Sequence, residues 1–426
     1  MRDESEAGHP TDEKLTAWVA GQAPTSVAAA MLSHVRVCAP CWQRWAAKAA
    51  GVIDAPTGAP EPLLSLDAYD FALQRAFARV EPPPPRVWTL ADRRTHWAYS
   101  SALLDLSNSW RDRGDLDEAH ECAYIAVKHA ELIPDTGNPQ ALADLRCRTW
   151  CELANLRRSL NDLDGAEDAL CKALNRYEIG SRYPPLLARW RDVAASLFRD
   201  QGRFDEAIEA LEDACETHLE FGYPHLAGRS RVNLGSVYLA MGQPRRAAIV
   251  LLDSYCLLDR EDTGLVLAAL HSTLYALAEA GEFEAVAKLL WTMRPLYEKV
   301  APPKFKTQLL GLEAKVAAGQ GYFRRAERLY RQNIAAHRTA GRFYDAAVAA
   351  LEFAAFLVER GRPPADVLAV LNGAVRAFVK RQIYRELLVC FKLLRESIQR
   401  GRNMADALAS FAREVRAYSA LPGVMR

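Results

Sequence analysis

No stretch of the sequence reaches the roughly 18 uninterrupted apolar residues of a membrane-spanning helix. The first residues also lack the basic, apolar and small-residue order of a secretory signal. The cytosol is therefore the expected compartment. Charge of one sign is not in excess either: 54 Lys and Arg stand against 53 Asp and Glu, so no global field draws the chain to nucleic acid or an anionic membrane. Neither is an expected partner. Also missing are a GxxxxGK phosphate loop, a glycine-rich dinucleotide fingerprint after a strand, and any alternating pattern that would build strands. Histidine is scarce. Seven of the nine, His96, His120, His129, His218, His225, His271 and His337, are scattered with no Ser or Cys nucleophile signature beside them. No acid, base and nucleophile assemble, so the sequence gives no reason to expect an enzyme.

Nine cysteines are too many to ignore and too scattered for a disulfide framework in a reducing compartment. Only Cys38 and Cys41 have metal-ligand spacing. Cys147 and Cys151, four apart on one predicted helix with Cys171 on the next, read as core packing, as do the isolated Cys122, Cys215, Cys256 and Cys390.

Proline divides the chain. Clusters at Pro56, Pro60 and Pro62 and at Pro82 to Pro85 are breaks that helices do not cross. Between them Leu63, Leu66, Tyr69, Leu73, Phe77 and Val80 recur at three- and four-residue steps, which predicts an amphipathic helix over 63–80. The organisation expected is a small domain over 1–50, a proline-rich linker over 51–94 carrying that helix, and a repeat array over 95–420.

The array rests on a marker. Gly114, Asn161, Gly202, Gly242, Gly281, Gly321, Gly361 and Gly401 follow one another at intervals of 39 to 47 residues. Four or five residues after each comes an alanine: Ala119, Ala166, Ala207, Ala247, Ala285, Ala326, Ala365 and Ala405. Gly and Asn tolerate the left-handed conformation that ends a helix, and a small side chain lets the following helix approach its neighbour. The unit predicted is helix, turn, helix. The segments LGSVYLAMG at Leu234 to Gly242 and GRFDEAIEAL at Gly202 to Leu211 resemble the tetratricopeptide family, although the period here is longer than the usual one. The fold implied is all-α: a right-handed, tetratricopeptide-like solenoid of about eight helical hairpins. The first helices of the repeats carry Arg146, Arg148, Arg157, Arg158, Arg189, Arg191, Arg229 and Arg231, which the family places towards an inner groove. That groove either accepts an acidic peptide or helix, or its arginines are paired internally or solvated.

The N-terminal segment holds His34, Cys38 and Cys41 in an HxxxCxxC arrangement. Ala28, Met31, Leu32 and Val35 predict one helix with His34 near its end, and Pro40 suits the first turn of a second helix over 41–50. A closed tetrahedral zinc site needs a fourth ligand. His9 is the candidate, fixed just before a helix that Thr11 caps and that Asp12 and Glu13 favour with their charge. The segments HPTDEKLTAWVAG and HVRVCAPC resemble the zinc-binding anti-sigma domain, which implies that His9, His34, Cys38 and Cys41 hold a structural zinc in a small three-helix domain. The function implied is a soluble, zinc-dependent, anti-sigma-like regulator. Its partner would be an extracytoplasmic-function sigma factor, and the array would sense or dock a second protein or peptide. The alternative is an interaction scaffold whose zinc domain is a docking module unrelated to sigma factors.

Overall fold

A computed structural model describes residues 9–19, the single positions 27, 31, 34, 38, 41, 44 and 48, and residues 90–135, 137–300, 303–380 and 384–400. The amphipathic segment 63–80, the proline-rich breaks, Gly401 and Ala405 lie outside the described residues. Sixteen helices and no strand occur among those described.

After α1 (Asp12–Val19), the helices run in pairs. The first four hairpins are α2 (Leu90–Arg113) with α3 (Leu116–Leu132), α4 (Pro139–Ser159) with α5 (Leu163–Ile179), α6 (Pro184–Gln201) with α7 (Phe204–Glu220), and α8 (Pro224–Ala240) with α9 (Pro244–Ser254). There follow α10 (Thr263–Glu279) and α11 (Phe283–Val300), α12 (Pro303–Gly319) and α13 (Phe323–Thr339), α14 (Phe343–Glu359) and α15 (Pro364–Lys380), and then α16 (Tyr384–Arg400). The chain divides into two compact units, Met1–Ser272 and Thr273–Arg426.

Each hairpin turns at a sequence marker. All the described markers have positive φ, from +63° at Gly361 to +94° at Gly114, with Asn161 at +67°. At Gly202 the geometry ends α6 in the way a left-handed cap does: the Gly202 amide donates to the Arg199 carbonyl at 3.0 Å and the Arg203 amide to that of Phe198 at 2.8 Å. An L side chain strains that backbone, so Gly or Asn at this point fixes where one helix stops and the next begins. Proline opens α4, α6, α8, α9, α12 and α15, where its missing amide hydrogen has no partner to lose.

Packing follows from this register. Within the first unit each first helix packs on its own second helix, on the preceding hairpin, and on the first helix of the next hairpin: α2 touches α4, α4 touches α6, and α6 touches α8. The first helices therefore share one face. Ala119, Ala166, Ala207 and Ala247 are fully buried, and Ala207 sits with Ala195, Leu211 and Val237 in one core cluster. The alanine rule fails twice. Ala285 and Ala365 are exposed, and the buried places are taken by Val286 and Val367. In the second unit Tyr330, Phe353, Phe356 and Phe378 supply much of the buried volume, with the Tyr330 and Phe353 rings stacked at 5.5 Å. The scattered thiols divide as well: Cys122, Cys147, Cys151 and Cys390 are buried, but Cys171 and Cys256 are exposed and Cys215 is half-buried. Cys256 and Cys171 are thus not core residues, because they fall on the solvent side of their helical turns.

Two outcomes follow. Ala207→Leu should destabilise the protein by about 1–3 kcal/mol, because the added carbons meet a filled core. Ala285→Leu should stay within about 0.5 kcal/mol, because that side chain faces solvent. Chemical-denaturation midpoints of the full chain separate the two cases. The second outcome concerns acid. His96 and His129 meet through their Nδ1 atoms at 2.8 Å beneath Tyr99, and both are buried. Burial, then His96 and Lys128, pushes His129 down to about 3, while Asp92 opposes the downward effect of burial on His96. The folded state thus keeps His129 neutral, whereas the unfolded chain takes up the proton near 6.5. Stability from this pair is full above pH 6.5 and drains away as the pH falls towards 3. Hydrogen-exchange protection in α2 and α3, taken relative to the intrinsic rate at each pH, should fall on acidification more in the native protein than in His129→Gln. An equal fall in both would contradict this assignment.

Candidate metal centre

The start of α1 is set by Thr11, whose hydroxyl accepts from the Lys14 amide at 3.3 Å, with Asp12 and Glu13 in the first turn. This is the cap expected from the sequence. It places His9 just ahead of the helix, while Leu15, one turn in, is fully buried. Met31 and His34 lie on helical backbone three residues apart, Cys38 does not, and Cys41, Arg44 and Lys48 are helical again. Cys38 is the non-helical corner between His34 and Cys41, and Met31 and Cys41 are buried.

Four side chains meet at this corner. The ligand atoms of His9, His34, Cys38 and Cys41 all lie within 4.8 Å of one another. His9 Nδ1 is 3.1 Å from His34 Nε2, 3.2 Å from Cys41 Sγ and 3.4 Å from Cys38 Sγ. A ring nitrogen carries one hydrogen or one lone pair, so it cannot make three hydrogen bonds at once. It can share a cation with three other donors. Metal bonds of about 2.0–2.1 Å to nitrogen and 2.3 Å to sulfur in a tetrahedron put neighbouring ligand atoms about 3.3–3.8 Å apart. The three contacts of His9 Nδ1 fall at or just under that range. The two imidazoles stand edge to face, at 83° with centroids 5.0 Å apart, so that each presents one nitrogen to the same point. These four residues form a cluster that could hold a metal.

Charges outside the cluster tie its parts together. Asp12 accepts from Arg44 Nε at 2.9 Å and pairs with Lys48 at 3.2 Å, joining the helix behind His9 to the helix that carries Cys41. The Arg44 contact, then that of Lys48, holds the Asp12 carboxyl below the usual carboxylate range. At Cys41, burial and then the adjacent Cys38 push the thiol up. A cation at the shared point acts in the opposite sense, because the thiolate is the ligand.

The arginines of the first helices fall into distinct groups. Arg146 is spent inside the fold, donating to the carbonyls of Ala130 and Ile133 and pairing with Asp135 at 2.6 Å. Arg157 donates to the Gly165 carbonyl at 2.9 Å, and Arg191 pairs with Asp213 of α7 at 3.0 Å. Arg158 pairs with Asp200 at 2.6 Å. Longer contacts join Arg189 to Glu152, at 3.5 Å, and Arg229 to Asp192, at 3.4 Å. Asp192 also accepts from the Ser230 hydroxyl at 2.7 Å. His218 Nε2 lies 3.6 Å from the same carboxylate, so Asp192, Ser230 and His218 form a buried polar network.

Comparison with known proteins gives the repeat type. A family model described as tetratricopeptide repeat matches residues 148–178 and 193–217, which span most of the second and third hairpins. No curated protein matches the chain. Among solved structures, a Rap protein complexed with Competence and Sporulation Factor is similar with a TM-score of 0.54 at 12% identity, covering 90% of this chain and 96% of that one. The apo form of RapI gives a TM-score of 0.47 at 14% identity, covering 75% and 99%. A kinesin light chain repeat protein from Podosopora anserina gives 0.36 at 21%, covering 48% and 97%. The chain carries tetratricopeptide repeats in an all-α, solenoid-type fold.

Proposed function

We propose that the chain is a regulatory interaction protein with two binding parts. A small N-terminal module holds a structural zinc and grips a protein of the sigma-factor class. The repeats receive a second protein or peptide. The observation that carries this reading is the convergence of His9, His34, Cys38 and Cys41 on one point. Two imidazoles and two thiols are the donor set of a closed zinc site, and four protein ligands leave no open position for a substrate. The metal supplies folding energy: a structural zinc contributes about 10–16 kcal/mol, against about 3–5 for the core of a domain this small. The ligand set and spacing, together with the resemblance of HPTDEKLTAWVAG and HVRVCAPC to anti-sigma domains, support the choice of partner. The sequence pattern from Leu63 to Val80, which predicts an amphipathic helix, adds to that support. For the repeats, the support is the solenoid fold and a structural neighbour whose complex holds Competence and Sporulation Factor.

One contact favours the scaffold reading beside it. Lys14 of α1 pairs with Glu261, in the turn before α10, at 2.8 Å, which links the module to the repeats. The pair is exposed, so its energy is small, roughly 0–1 kcal/mol.

The test is metal analysis and binding on the full chain. Freshly purified protein should contain one zinc per chain. The double substitution Cys38→Ser, Cys41→Ser should lose it, while the far-ultraviolet helical signal of the repeats persists. Pull-down of the sigma factors of the native host should succeed with the native chain and fail with the double variant. Zinc absent from native protein would sink the metal reading. Zinc present with no sigma factor retained would leave the scaffold reading in its place.

A further inference from the structure

The repeat register puts stripes of opposite charge at the same positions of two hairpins. Asp205, Glu209 and Glu212 of α7 stand 3, 7 and 10 residues after Gly202, and Arg324, Arg328 and Arg331 of α13 stand 3, 7 and 10 residues after Gly321. Glu216 and Glu220 extend the first stripe, and Arg338 extends the second. Steps of three and four residues keep each set on one side of its helix. All of these side chains are exposed.

The repeat itself requires neither stripe. α7 carries seven acidic residues and no Lys or Arg, whereas α13, the equivalent helix of a later hairpin, carries five arginines against one acidic residue. On a chain of net charge +1 these are local excesses of opposite sign. Like charges three or four residues apart repel along each helix. The α7 carboxylates that have a cation at hand use it: Glu206 pairs with Arg203 and Asp213 with Arg191. Among the described residues the five carboxylates of the stripe have no such partner, and on α13 only Arg331 is paired, with Glu327 at 2.8 Å. An open hollow of about 450 Å³ runs along the arginine face, with Arg324, Arg328 and Arg331 on its walls. Ala335, at the position that Glu216 holds on α7, also lines it and leaves room for the side chains of a facing helix.

We infer that α7 of one copy of the chain docks on α13 of a second copy, with the two helices antiparallel. Arg324 then faces Glu220, Arg328 faces Glu216, Arg331 faces Glu212 and Arg338 faces Asp205. The steps agree: 4, 3 and 7 residues along α13 against 4, 4 and 7 along α7. A guanidinium donates to a carboxylate in a bidentate fork, which a lysine in its place could not do. The antiparallel direction also brings Leu219 and Phe221, exposed at the end of α7, beside Tyr322 and Phe323, exposed at the start of α13. A parallel pair would match the charges but leave those apolar ends apart. A polyanion on α13 would leave the acidic stripe unanswered, whereas a second copy answers both. Each copy presents both stripes, so the pairing either closes on two such contacts or continues from copy to copy. One helix pair covers less than the roughly 1,200 Å² of a stable interface, which makes the association weak and sensitive to salt.

Sedimentation velocity on the full-length protein tests the pairing. Association should rise with protein concentration at about 50 mM salt and weaken about tenfold or more at about 0.5 M. One variant carries Arg324→Glu with Arg328→Glu, and another carries Glu216→Arg with Glu220→Arg. Each alone should be monomeric, because like charges then face one another across the contact. An equimolar mixture of the two should associate again, since the reversed α13 of one meets the reversed α7 of the other and the remaining stripes pair as in the native chain. Loss of fold in either variant shows in its circular dichroism and would not be repaired by mixing. A native chain that stays monomeric at low salt would overturn the pairing, as would variants that associate as the native chain does or a mixture of folded variants that stays monomeric.

Discussion

The constraint on which the rest depends is a backbone one: every described hairpin turns through a residue with positive φ. That conformation admits Gly readily and Asn with little cost, and it stops one helix at a fixed count from the start of the next. The count then decides which face each side chain takes. Ala119, Ala166, Ala207 and Ala247 reach the interface between helices because they stand five residues beyond their markers. A solenoid gains stability by stacking such units, so an error in one turn would displace the faces of its own hairpin and its fit to the neighbours.

Much of this was legible in the sequence because it is local. Marker residues, alanines and opening prolines report backbone geometry within a few positions of themselves, and the turns occur where they stand. The alanine rule broke at Ala285 and Ala365 because the buried place tolerates valine, and Val286 and Val367 fill it one or two residues further along. The thiols show the same limit. Cys147 and Cys151 fell on the buried stripe of α4, but Cys256 lies where the chain leaves α9, and no neighbouring residue signals that its side faces water.

The arginines mark where local reading ends. Eight of them on first helices looked alike in the sequence. Their partners come from neighbouring helices: Asp135 and the end of α3 for Arg146, Asp213 of α7 for Arg191, Glu152 of α4 for Arg189. Only the stacked fold shows which carboxylate or carbonyl each arginine meets. The metal cluster divides in the same way. HxxxCxxC gave three of its members from spacing, because a helix end and a short turn bring them together. His9 needed the helix cap at Thr11 and the resemblance to a known domain, since 25 residues separate it from His34.

Zinc held by two histidines and two cysteines is the claim on which the proposed role of the N-terminal module stands. X-ray absorption at the zinc edge on freshly purified full-length protein tests it most directly. The account predicts a first shell of two sulfur neighbours at about 2.3 Å and two nitrogen neighbours at about 2.0–2.1 Å. A shell of nitrogen and oxygen alone, or of four sulfurs, would contradict it.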